Sequence, residues 1–385
     1  MRKNRIVLED SWYHLVTRVH ARERLLEDPV FKDCLAEWID GVAGFSGIDV
    51  GSWCVMDNHL HLFVRAPSVP ECYWTTPSVA PNTCAFTMRP PETPPLRWAP
   101  DQDSTSAGDR PSASDPCTSE DSGSEDSPAD RLPPVGFSLP DDEMVARLVK
   151  LRGAKSAKAS AARWTRLRND GQASVVEAEK ERLCRRMYNV SQFMKTLKQR
   201  ITEQFNRRTG HTGTLWEGRF WSKLAEPDTD SCLAIGGYIA LNPVRARIVD
   251  DPTEYCWSSY AVACGDGPLA ETCRRGYEKM LGRPWEESRH LLEAMFAEKL
   301  PAILEGKSDI LEYEVADENG GTRKVALTVA QAIHMRQTTF SHGYVFAKSE
   351  EYIQHVVRSH PAGFRLPSFA SDRQLQKLNW KTLAA

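Results

Sequence analysis

CVMDNHLHLFVRAP, Cys54 to Pro67, decides the fold. From His59 the residues alternate in character until Pro67 closes the run, so His59 to Arg65 reads as a strand. Asp57-Asn58 is a turn signal, and Ile48 to Met56 is a strand leading into it. Residues i and i+2 of a strand share a face, roughly 6.5–7 Å apart. His59 and His61 therefore point the same way and Phe63 continues their face. Leu60, Leu62 and Val64 face the opposite, helix-covered side. Two readings compete. Each histidine alone is better read as a half-exposed strand residue with its hydrogen bonds satisfied. As a same-face pair on an otherwise apolar strand, they read as ligands converging on one metal ion.

Upstream, SWYHLVTRVH (Ser11 to His20) is rich in aromatic and β-branched residues and reads as a strand. Between Pro29 and Phe45, Phe31, Leu35, Trp38, Ile39 and Val42 recur at helical spacing. The order β-α-β-β predicts an α+β fold, a ferredoxin-like antiparallel sheet with helices packed on it.

Downstream the composition breaks. Ser68 to Asp142 is dominated by Pro, Ser, Thr, Asp and Glu; Asp101 to Asp130 holds nine acids and one arginine. Such a run cannot bury enough apolar surface to offset its ordering entropy, which predicts a disordered insertion. The charge then reverses: Arg147 to Arg208 holds 17 Lys or Arg and 5 Asp or Glu. Within it VSQFMKTLKQRITEQFNRR predicts a helix capped by Ser191 and ended by Gly210. Val190, Met194, Leu197, Ile201 and Phe205 make its apolar stripe; Lys195, Lys198, Arg200, Arg207 and Arg208 lie off it. Thr214 to Ala225 reads as a strand, and Asp230 to Leu241 as a helix capped by Asp230 or Ser231 and stopped at Pro243. Beyond Cys264 the pattern mixes helix and strand, with helical stretches at Trp285 to Leu300, Thr328 to Gln337 and Glu350 to Val357, giving a mainly helical extension. The map is thus 1–67 and 143–263 as two parts of one domain, 68–142 as an insertion, and 264–385 as an extension.

The net charge of −3 hides this segregation. Ten cysteines form no CxxC pair, which predicts free thiols in a reducing compartment. The stretch MRKNRIVLED has no apolar core and no cleavage-like site, which predicts no signal peptide, and no run approaches about 18 apolar residues. These readings predict a cytoplasmic protein without a membrane partner.

A two-histidine site needs a further ligand and a reactant. Tyr238 and Asn242 lie four apart on one helical face. Asn242 offers an amide oxygen suited to Mg²⁺ or Mn²⁺, and Tyr238 a phenol that can act as nucleophile. Gly236 and Gly237 are costly inside a helix and would let a nucleic-acid strand approach closely. Taken alone, the better reading is a boundary tyrosine and an asparagine closing the helix before Pro243.

MDNHLHLFV, FMKTLKQRITEQFNRRTGHTGTLWEGRF, YIALNPVRARIV and YCWSSY occur in this order. Together they resemble the REP-associated tyrosine transposases, members of the HUH single-strand nucleases. The resemblance covers about Asn4 to Ala263, less the acidic insertion. It implies a metal held by His59 and His61, Tyr238 as nucleophile and Asn242 as third ligand. It also implies cutting and rejoining of single-stranded DNA near hairpins or imperfect palindromes, through a 5′-phosphotyrosine. DNA contacts are expected from Lys195, Lys198, Arg200, Arg207, Arg208, Trp216, Arg219 and Arg245, with Trp216 and Trp221 able to stack bases. The protein would act as a monomer or homodimer. Two departures stand out: the long insertion, and Asp57 where the family more often has proline. Alternative readings are a domesticated DNA-binding protein that does not cut, a replication or mobilisation nickase, and, more distantly, a metal-binding regulator.

Overall fold

The computed structural model describes Leu8 and residues 10–74, 136–305, 310–316, 322–328, 344–346 and 349–359. The first strand, β1, is Trp12–Arg18, followed by helix α1 (Pro29–Ser46) and strands β2 (Asp49–Val55) and β3 (His59–Arg65). Helices α2 (Asp141–Arg152), α3 (Ala154–Asn169), α4 (Ala173–Cys184) and α5 (Val190–Thr209) separate these from β4 (Trp221–Ala225). Then come α6 (Thr229–Ala240), α7 (Asn242–Arg245), α8 (Ser259–Cys264), α9 (Ala270–Leu281) and α10 (Trp285–Leu304). A hairpin of β5 (Ile310–Ala316) and β6 (Thr322–Thr328), then β7 (Tyr344–Phe346) and α11 (Glu350–Ser359), complete the described elements.

The main sheet has the order β2-β3-β1-β4-β7. Its first four strands pair antiparallel, in the order of a β-α-β-β-α-β sandwich, and β7 joins β4 in parallel. The extension is therefore not helical throughout, because β7 becomes a strand of the main sheet. Thr328 ends β6, and the helix expected from there to Gln337 otherwise lies outside the described residues.

Local chemistry sets the helix ends. The Asp28 carboxylate accepts from Val30 N at 3.0 Å, Pro29 opens α1, and Gly47 closes it in the left-handed region at φ 65°. The Asn189 side chain caps α5 by accepting from Ser191 N and Gln192 N; Ser191 lies one residue inside. Asp228, not Asp230 or Ser231, caps α6. Met194, Leu197, Ile201 and Phe205 are buried, and Phe205 meets Phe31 of α1 edge to face at 5.8 Å. Burying each such side chain contributes about 1.5–3 kcal/mol.

Three expectations need correction. The strand expected from Thr214 is only Trp221–Ala225; residues before it form a loop held by the Val19–Trp216 bridge. The insertion is also shorter than expected. Trp74 bridges Phe137, their rings lie 6.1 Å apart, and α2 begins at Asp141. Residues 75–135 lie outside the described ones, and the expected disorder falls there. Finally, several cations of the basic stretch are paired with nearby carboxylates. Arg168 and Lys180 converge on Asp141, Arg163 pairs with Glu179, and Arg185 with Glu181.

Asp57 also has a structural reason. The buried Lys32 ammonium sits 2.5 Å from its carboxylate and 3.0 Å from the Tyr255 hydroxyl. Tyr255 donates in turn to Val55 O at 2.7 Å. The YCW segment thereby locks the turn that aims β3.

Candidate active site

Antiparallel register places facing residues on one side of the sheet. His61 pairs with Val16, His59 with Arg18 and Phe63 with His14. On the other edge of β1, His14 pairs with Lys223. His14, His59, His61 and Lys223 therefore share one face. Helix α6 covers that face, and Tyr238 reaches it: its ring lies 5.9 Å from those of both His61 and His14.

The imidazoles are fixed by one another and by their neighbours. His61 Nδ1 is 3.0 Å from His14 Nε2, with the rings stacked 5.3 Å apart. His59 Nδ1 is 2.6 Å from Asn58 Oδ1, and its ring meets His61 at 4.8 Å. Nδ1 is thus engaged on both His59 and His61, which leaves Nε2 of each for another partner. A partner that orients the far nitrogen is the usual support of a metal-ligating histidine. Burial, aided by the Arg18 charge, pushes His59 down to about 4. Burial and Lys223 hold His14 well below the ordinary histidine range. Burial, then His14 and His59, do the same for His61. All three are neutral near pH 7 and keep a lone pair. Burial also lowers Lys223 to about 8.

Asn242 opens α7, one turn beyond Tyr238. Its Nδ2 donates to Ile239 O at 3.5 Å, which leaves Oδ1 to accept or to coordinate. No hydrogen bond joins it to either imidazole among the described residues. Among them, too, no group of three or more His, Cys, Asp or Glu is arranged to hold a metal ion. The Nε2 of His14 is engaged by His61.

The expected DNA-contacting residues divide. Lys195, Arg207 and Arg219 are exposed. Lys195, Lys198 and Arg219 line an open cleft of about 760 Å³ between α5 and the loop before β4. Arg245 lies over the Tyr238 ring at 4.8 Å. Arg208 pairs with Asp28 at 3.0 Å. Arg200 turns inward, donating to Leu151 O over the Trp38 ring. Trp216 is only 5% exposed and donates to Thr202 Oγ1 at 3.0 Å, so its ring is enclosed and not an open stacking platform. Trp221, 58% exposed, is the open indole.

Gly236 and Gly237 do not face a nucleic-acid path. A Cβ at Gly236 would sit 2.6 Å from Met280 Cε, and one at Gly237 1.6 Å from Met295 Cε. They let α9 and α10 close over α6. His14 and Lys223 went unnoticed in the sequence. The only signal was a histidine and a lysine in strand-like runs, which gains meaning once the register is known.

A family model described as "Transposase IS200 like" matches residues 7–72. That segment carries β1 to β3 with His14, His59 and His61, and ends before Tyr238. The match supports a transposase of this kind, and such a family implies a DNA-processing transesterase. No curated protein and no solved structure matches the chain. No helix among the described residues is long and apolar enough to cross a membrane.

Proposed function

We propose that this protein is a metal-dependent single-strand DNA endonuclease and strand transferase. Tyr238 is its nucleophile, and imperfect palindromes of the REP type are its targets. The observation that carries the reading is Tyr238 standing 5.9 Å from His61, on the face where two imidazoles keep Nε2 for a ligand. The donor set fits a divalent ion: His59 Nε2, His61 Nε2 and Asn242 Oδ1 would hold Mg²⁺ or Mn²⁺. When bound, the ion supplies Lewis-acid polarisation of the scissile phosphate.

The chain's residues do the rest. The Tyr238 oxygen attacks phosphorus, the bond from phosphorus to the 3′ oxygen breaks, and the phenol proton is balanced by the one gained at the new 3′-hydroxyl. The product is a 5′-phosphotyrosine diester, so the linkage is exchanged and not hydrolysed, and the reverse step rejoins ends. Arg245 braces the ring from outside. Exposed Lys195, Arg207 and Arg219 supply phosphate contacts, and Trp221 a stacking surface. The eight described cysteines are free, which supports a reducing, cytoplasmic setting.

The test uses a labelled single-stranded oligonucleotide carrying an imperfect palindrome from the DNA flanking the gene, with Mn²⁺ or Mg²⁺. Wild type should give a covalent protein–DNA band that survives boiling in detergent. Tyr238→Phe should bind the strand and give no such band. An undiminished band from the variant would overturn the assignment.

A further inference from the structure

Among the described residues, Lys223 is a cation without a counter-ion. It lies on β4 beside His14, half-buried on the face that holds His59 and His61. Among the described residues it has no ion pair and no hydrogen-bond partner. Its charge is felt by both His14 and His61. The other charged side chains nearest the rings are Arg18, paired in register with His59, and Arg245 over Tyr238. Asp57, the carboxylate that His59 senses, is already held by Lys32 and Arg24.

Withdrawing an ammonium from water without an anion beside it is unfavourable, and an anion bound on this face would complete the arrangement. Lys32 makes the contrast inside the same molecule. It is more deeply buried, yet it has Asp57, Tyr255 and the Trp257 ring. Lys223 has His14 beside it and no anion among the described residues. A lysine head is a compact point charge, able to donate to a single phosphate oxygen.

We propose that Lys223 is a catalytic residue that clamps the phosphodiester attacked by Tyr238, its ammonium donating to a non-bridging oxygen. This rests on the function proposed above. The clamp stabilises charge that grows on the phosphate oxygens during transfer. It makes and breaks no covalent bond, and Lys223 keeps its proton.

The experiment compares wild type, Lys223→Met, Lys223→Arg and Tyr238→Phe in single-turnover cleavage of the same oligonucleotide, alongside thermal melting of each protein. Lys223→Met should lower the cleavage rate about 10²–10³-fold, the usual loss for one preorganised donor. It should melt at or above wild type, because it removes an unpaired half-buried charge. Lys223→Arg should recover at least part of the rate. Inorganic phosphate should raise the melting temperature of wild type more than that of Lys223→Met. Full activity in Lys223→Met overturns the clamp. So does a lower melting temperature with loss of activity unrelieved by arginine, which would make Lys223 a structural residue. If Tyr238→Phe still forms the covalent band, the underlying function fails instead, and the two failures are distinguishable.

Discussion

Lowering the pH from 7 to 5 should destabilise the protein through its buried imidazoles. The folded chain holds His59, His14 and His61 neutral, with His59 lowered to about 4 and the other two well below the ordinary value. The unfolded chain protonates each near 6.5. As pH falls below 6.5 the unfolded state binds more protons than the folded one, so stability drops. The contribution is fully present above the unfolded value and is lost as pH falls through the folded one. At pH 5 an unfolded His59 has gained nearly its whole proton, 1.5 units below 6.5, while the folded ring is still mostly neutral. At roughly 1.4 kcal/mol per unit, His59 alone removes about 2 kcal/mol, and His14 and His61 act in the same direction. The assay is urea unfolding followed by tryptophan fluorescence at pH 7, 6 and 5, in chelator to keep metal away. Wild type should lose stability steadily, and His59→Gln, which cannot titrate, should lose less. Equal stability of the wild type at pH 7 and pH 5 would refute the burial of neutral imidazoles.

Gly276→Ala should destabilise by about 1–3 kcal/mol, although alanine normally improves a helix interior. Its Cβ would sit 2.4 Å from the Val50 carbonyl oxygen, a backbone atom that cannot swing away, so α9 must lift off β2; the measurement is the shift in urea midpoint. Asp57→Ala should cost about 3–5 kcal/mol, because it strands the Lys32 ammonium in the interior. Adding Lys32→Met should recover much of that loss, which a double-mutant cycle on thermal melts would read.

What the sequence by itself determined is local. The period of two along HLHLFV put His59 and His61 on one face without any knowledge of neighbours. Gly210 marked the end of α5, and Pro29 the start of α1, through backbone preferences that act within one turn. The β-α-β-β order followed from the same short-range signals. The cap residues slipped by two positions at Asn189 and by two or three at Asp228, since several short polar side chains stand near each helix start and only backbone geometry selects one. The tertiary structure decided everything that depends on register and contact between distant segments. Hydrogen bonding of β1 to both β3 and β4 brought His14 and Lys223 to the histidine face, across 47 residues in the case of His14 and His61. Packing of α9 and α10 turned Gly236 and Gly237 into close-approach points, and folding of the loop before β4 enclosed Trp216 while leaving Trp221 open. Such choices belong to non-local pairing and burial, whose free energy is shared among residues far apart in the chain and leaves no periodic trace in any one stretch of it.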